Sequence, residues 1–296
     1  MRLHDQIKID YIGGSTTMKE EQRKGSVWLF FIIAFGFSWL FWVPLALAEQ
    51  GFISLPDGLY QFLSGENNPG AWGPFVAAFL MTAIYEGWSG VKALIKRGLN
   101  VKIGWKWYLV VFLLLPLLIG LPLLVAQIAG EAIPESMAVG MAGETPLPIF
   151  AVIALFVIFF MGGPLQEEFG WRGYATDRLQ EKFNALWTGI IMGVLWFSWH
   201  LPLLFIPREE SYYNRPVLGF LLTAILVTIL FTWIYNNTNR SIFATLIFHT
   251  MFNWTNTFFP TFETDIGGLL FFGLAIVLVG VIVWQFGPER LKREDT

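Results

Sequence analysis

Eight stretches of this sequence are apolar over close to the length that crosses a lipid bilayer, and no other feature constrains the fold as strongly. They are Ser26–Ala48, Gly70–Glu86, Trp107–Ile128, Leu147–Leu165, Ala185–Ile206, Val217–Tyr235, Ile242–Phe258 and Ile266–Phe286. A spanning helix needs about 20 mostly apolar residues, and the second and seventh stretches are the shortest. Composition agrees. Hydrophobic residues make up 55% of the 296 positions and charged residues 14%, against roughly 25% charged in soluble domains. A soluble globule could not bury so much apolar surface without leaving large patches. The expected fold is all-α: a polytopic membrane protein of about eight transmembrane helices, with a polar site inside the bundle. Residues 1–25 lack the apolar core of a signal peptide and read as a polar tail. Residues 26–286 form one membrane domain, and 287–296 a second short tail.

Basic residues concentrate on the cytoplasmic side of membrane proteins. With an even number of spans, one side collects 17 of the 19 Lys and Arg residues; only Arg208 and Arg215 fall outside. Both termini are therefore expected in the cytoplasm. The basic loop 87–106, with Trp88 and Trp105 near its ends, reads as an interfacial segment anchored to lipid headgroups. The outer loops 49–69 and 129–146 hold acids and no Lys or Arg.

Ionisable residues inside spans are costly unless paired or used. The chain has three histidines. His4 lies in the tail, whereas His200 and His249 lie in apolar spans. A third span ends in GPLQEEFGWRGY, which carries Glu167, Glu168 and Arg172. Residues four apart share a helix face, which groups His249 with Asn253, Trp196 with His200, and Glu168 with Arg172. Glu167 then points about 100° away from Glu168, so the two glutamates have different partners: Glu168 pairs with Arg172 and Glu167 faces the histidines.

A buried carboxylate can take a proton from water, histidines can orient that water, and an amide can donate to a developing oxyanion. The set suits amide hydrolysis. Glu167, His200 and His249 also meet the ligand count of a catalytic zinc site, three protein ligands plus water, although no H-E-x-x-H is present. There is no G-x-S-x-G elbow and no intramembrane aspartate pair, so serine and aspartyl designs fit less well, and with no cysteine a cysteine nucleophile is excluded.

Three motifs occur in order: Glu167-Glu168-Phe169-Gly170-Trp171-Arg172, Trp196-Phe197-Ser198-Trp199-His200 and His249-Thr250-Met251-Phe252-Asn253. With them the chain resembles the CAAX-protease and bacteriocin-processing (Abi) family of intramembrane proteases, in detail over about residues 145–260. One departure is Trp196, where phenylalanine is common. The resemblance implies an endopeptidase in which Glu167 activates water with His200 beside it, His249 completes the site and Asn253 stabilises the oxyanion. Glu168 and Arg172 then have supporting roles. It implies a membrane-associated protein or peptide substrate, prenylated in CAAX processing, and leaves open whether zinc is required. No nucleic-acid partner is expected.

Cleaving a cytoplasmic C-terminus requires a site open to the inner leaflet. Glu167 and His249 are expected near the cytoplasmic ends of their spans. His200, however, lies about 24 Å of ideal helix past Asn184, with Pro202 positioned to kink the helix just beyond it. Two other classes compete: a membrane scaffold or bacteriocin self-immunity protein with a non-catalytic cluster, and a transporter. The inverted repeats and paired broken spans common in transporters are not seen.

Overall fold

The computed structural model describes residues 25–65, 68–213 and 215–292, so almost all of the first polar tail, with His4, and Arg293 lie outside the described residues. All regular elements among the described residues are helical. In chain order they are α1 (Val27–Glu49), α2 (Asp57–Ser64), a 3₁₀ turn (Pro69–Trp72), α3 (Gly73–Gly98), α4 (Trp105–Ile128), α5 (Met137–Ala142), α6 (Leu147–Met161), α7 (Pro164–Gly170), a π-helical turn (Trp171–Thr176), α8 (Asp177–Gln180), α9 (Ala185–Trp199), a 3₁₀ turn (Leu201–Phe205), α10 (Val217–Asn237), α11 (Ile242–Phe258), a 3₁₀ turn (Thr261–Glu263) and α12 (Asp265–Phe286).

Five helical segments are long and apolar enough to cross a membrane: α1, α4, α9 with its following 3₁₀ turn, α10 and α12. A sixth is the pair Leu147–Met161 and Pro164–Gln180, bent by 40° at the break between them. The other two expected spans are helices that miss this standard. α3 carries Glu86, Lys92, Lys96 and Arg97 beyond its apolar half and breaks its helical geometry at Gly87, whose φ is +66°. α11 has 17 residues. The chain is an integral membrane protein with an all-helical fold. Its outward surface is correspondingly apolar: Ile32, Leu40, Leu117, Leu121, Phe156, Leu269 and Ile276 are all exposed. In water such a surface would aggregate; in lipid it is the solvated face.

Several helices start where a side chain can accept an orphan backbone N–H. Ser26 accepts from Leu29, Asn184 from Trp187, and Ser241 from Ala244. Between helices, close approach stands in for the missing hydrophobic drive. Gly189 and Gly193 face α10 so closely that a Cβ on either would meet the backbone of Ile229 at 2.9 Å or of Ile225 at 2.5 Å. The Thr228 hydroxyl donates to the Gly189 carbonyl across this seam (2.7 Å).

The bundle has two different ends. At the basic end, Asp177 pairs with Arg97 (3.0 Å) and Arg240 (3.6 Å). Arg97 also bonds Tyr235, and Arg178 pairs with Glu86. The described part of the expected C-terminal tail is docked here. Ala185 N–H donates to the Glu289 carbonyl, and Asn237 to that of Leu291. Because consecutive long helices alternate in direction, α2, α5, residues 206–213 and 215–216 and the start of α12 lie at the opposite end.

Candidate active site

The site begins at a broken helix. α6 stops at Gly162, and Gly163 takes φ +106°, a conformation that favours glycine. Pro164 then opens α7 at a position where its missing N–H costs nothing. The Gly163 N–H donates to the Gln166 side chain (3.0 Å), which fixes the first turn. This turn carries Glu167 into the bundle, where it is 4% exposed. Downstream the helix widens: the Thr176 hydroxyl donates to the Trp171 carbonyl five residues back (2.8 Å). Such π turns are frequent at functional sites.

Among the described residues no cation pairs with Glu167. Its Oε2 instead accepts two indole N–H bonds, from Trp171 (2.9 Å) and Trp196 (2.6 Å). The other oxygen, Oε1, faces the space left by the missing Gly163 side chain. A Cβ built there would lie 2.8 Å from Glu167 Oε1, 3.5 Å from Asn253 Nδ2 and 3.7 Å from His249 Nε2. Three of the expected site residues, from α7 and α11, thus converge on one small volume.

Glu168 pairs with Arg172 as the spacing predicted (2.8 Å), and the helix carries the pair through Gly170. The sequence reading was incomplete in one respect: Glu168 Oε1 also accepts from His249 Nδ1 (2.9 Å). A carboxylate cannot donate, so Nδ1 holds the proton and Nε2 is presented to the site. The Arg172 guanidinium is also covered, with its centre 3.7 Å from the Phe231 ring centroid. Asn253 Nδ2 donates to the Gly162 carbonyl (2.7 Å). One amide hydrogen is thereby used for orientation and the second remains.

His200 sits elsewhere in the same cavity. α9 ends at Trp199 and His200 is its C-cap; Pro202 belongs to the following 3₁₀ turn, so the helix stops where a kink was expected. His200 Nδ1 bonds the Trp196 carbonyl (2.7 Å). A carbonyl only accepts, so here too Nε2 faces away with its lone pair. The Trp196 ring packs edge-on against both imidazoles, with centroids 5.1 Å from His200 and 5.8 Å from His249. Trp196 therefore links Glu167 and His200 through its N–H and its carbonyl. The aromatic-x-x-x-His pattern marks it as an aromatic, and only the fold makes it a donor. Trp171 was legible at four residues from Glu167, while nothing marked the Glu168–His249 bond across 81 positions.

Both histidines hold Nδ1 in a hydrogen bond and present Nε2, as metal-ligating histidines do. The expected ligand set Glu167, His200 and His249 nevertheless does not close. Among the described residues no three His, Asp or Glu side chains come together as a metal site. The donors as arranged do not fit a three-ligand zinc ion.

A cavity of about 790 Å³ reaches Glu167, Trp196, His200, Gly163 and Asn253. Its outer walls come from Leu63, Ser64, Gly65 and Asn68, from Met137 and Met141, and from Arg208 to Tyr212 together with Arg215. These segments belong to the end opposite the basic loops. Glu167 was expected near the basic end. It lies thirteen residues of helix before Gln180 instead, about 20 Å by ideal rise, and its cavity opens away from that end.

The family pattern described as type II CAAX prenyl endopeptidase Rce1-like matches residues 149–255, from α6 into α11. CAAX prenyl protease 2 of Methanococcus maripaludis is 30% identical over 233 residues, which cover 76% of this chain and 82% of that protein. The chain belongs to the Rce1-like CAAX prenyl protease family. Lysostaphin resistance protein A of Staphylococcus haemolyticus is a more distant relative, 22% identical over 71% of this chain and 54% of its own length. The span matched to the Rce1-like family contains every residue that converges on Gly163, and the Trp196–His200 pair as well.

Proposed function

We propose that this membrane protease hydrolyses peptide bonds with water activated by Glu167. The observation that carries the reading is the convergence of Glu167 Oε1, His249 Nε2 and Asn253 Nδ2 on the space beside Gly163. In the proposed step, water is held between Glu167 Oε1 and His249 Nε2. Its oxygen attacks the scissile carbonyl carbon as its proton passes to Glu167. The second Asn253 hydrogen meets the oxyanion. The C–N bond then breaks and Glu167 returns the proton to the departing amine. The two indole N–H bonds keep Oε2 occupied, so Oε1 is the basic oxygen. Glu168 and Arg172 fix the tautomer and orientation of His249. His200, on the same cavity wall, orients substrate through Nε2.

The substrate class that fits is the C-terminal segment of a membrane-associated protein or peptide. Prenylated C-termini are the first to test, because the 30%-identical relative is a CAAX prenyl protease and a lipid-embedded site suits a lipid-modified chain. The test is cleavage of matched prenylated and unprenylated C-terminal peptides by purified protein in vesicles. Glu167→Gln should lose at least 1,000-fold in rate, in the range usual for loss of general acid–base catalysis, while keeping its thermal midpoint. Cleavage at the wild-type rate by Glu167→Gln would overturn the mechanism. Chelation followed by zinc addition tests the ligand set. A rate that falls and then recovers with zinc requires His200 to move across Trp196 towards His249.

A further inference from the structure

Two basic residues break the charge map, Arg208 and Arg215, and both line the active-site cavity. Arg208 is exposed and its charge acts on Glu209 beside it. Arg215 is different. It is half-buried, and among the described residues its side chain makes no ion pair or hydrogen bond. Burial is the main influence on the guanidinium and acts against its charge, with Tyr212 and Glu263 opposing that effect more weakly. Arginine does not discharge in proteins, so a half-buried guanidinium on the cavity wall favours an anion that enters the cavity.

Arg215 is also connected to the chemistry. Its backbone N–H donates to the Tyr212 carbonyl (3.2 Å). The Tyr212 ring stacks on His200, with centroids 5.0 Å apart and planes at 21°. An anion on Arg215 would therefore extend along the same wall that ends at His200 and Glu167. A peptide has one anionic group whatever its side chains: its terminal carboxylate. A guanidinium matches that group with two parallel N–H bonds.

We propose that Arg215 is a specificity-determining residue that binds the free C-terminal carboxylate of the substrate inside the cavity, an inference that rests on the endopeptidase reading above. The enzyme then selects chain ends by their charge and cuts a short distance from them.

The test uses full-length protein in phosphatidylcholine vesicles and two peptides of one sequence, one ending in the acid and one in the amide. Wild-type protein should favour the acid by roughly 10- to 100-fold in kcat/KM, the range of one charge-assisted contact, with most of the difference in KM. Arg215→Gln should bring the ratio near one, and Arg215→Lys should retain part of it. Equal cleavage of acid and amide by wild type overturns the proposal, and so does an acid preference that survives Arg215→Gln. An amide peptide with an internal aspartate that is cleaved as well as the acid shows that any carboxylate serves, which rejects terminus reading. A rate that follows added anionic lipid instead of the peptide terminus assigns Arg215 to a lipid phosphate and also rejects it. If Arg215→Gln does not fold, the wild-type acid-to-amide ratio decides. If neither peptide is cleaved, fluorescently labelled versions are bound to wild-type protein. Tighter binding of the acid keeps the subsite while the protease reading fails; equal binding rejects the subsite.

Discussion

At the scale of single residues, Trp196 changes meaning most between sequence and structure. As a member of an aromatic-x-x-x-His pattern it was interchangeable with phenylalanine. In the fold its N–H is a 2.6 Å donor to Glu167 and its carbonyl holds His200. Phenylalanine would keep the ring, and the backbone carbonyl survives any substitution. Only the N–H would go, and Trp171 would still donate to the same oxygen. Trp196→Phe should therefore lower kcat by about 10- to 100-fold, the value of one hydrogen bond to a charged group, and leave far more activity than Glu167→Gln. Steady-state rates on one peptide check this. Equal loss in both variants would mean that the ring's position, and not its donor, matters. The spacing of four found Glu168–Arg172 from the sequence alone, and the same rule reaches Trp171 from Glu167. No spacing rule reaches from Glu168 to His249, because that contact depends on how two distant helices pack.

At the scale of elements, the break between α6 and α7 does two jobs. It turns the chain so that Glu167 enters the bundle, and it leaves the volume where Glu167, His249 and Asn253 meet. Gly163→Ala would disturb both. Its φ of +106° is strained for any residue with a Cβ, and the added carbon would sit 2.8 Å from Glu167 Oε1. The expected result is a stability loss of about 1–2 kcal/mol from conformation, together with near-complete loss of cleavage. Thermal unfolding and activity on the same preparation check it. Activity close to wild type would show that the volume beside Gly163 is not where substrate is cut. The next element holds the buried triad. Glu168 and Arg172 are 0% and 2% exposed, and His249 shares the carboxylate. Removing the cation from such a pair leaves an uncompensated buried charge and costs about 3–5 kcal/mol. Arg172→Ala should therefore unfold at a markedly lower temperature, whereas Glu167→Gln should not. Denaturation of both in the same detergent separates a supporting role from a catalytic one.

At the scale of the whole molecule, the helical membrane fold was legible because it depends on apolar length, which sequence records directly. The count of spans was less so. α3 and α11 show why: a helix shielded by neighbours can be short or polar in a way that a lipid-facing helix cannot. Depth in the membrane was the least legible property. Glu167 follows an apolar run and was assigned to its cytoplasmic end, but the run itself breaks at Gly162 and the helix continues for a further seventeen residues from Pro164 to Gln180. The consequence concerns sidedness. Lys92, Lys102, Lys182, Arg240 and Arg290 gather at the end away from the cavity, while Ser64, Ser211 and Arg215 line its outer walls. If basic loops stay in the cytoplasm, the cavity opens on the opposite side of the membrane, and a substrate must present its end there. The chain has no cysteine, so single cysteines report without background. In intact cells, a membrane-impermeant maleimide should label Ser211→Cys and should reach Ser89→Cys in the basic half of α3 only after lysis. The reverse pattern would turn the molecule over, give the cavity cytoplasmic access and make this chain an exception to the charge rule.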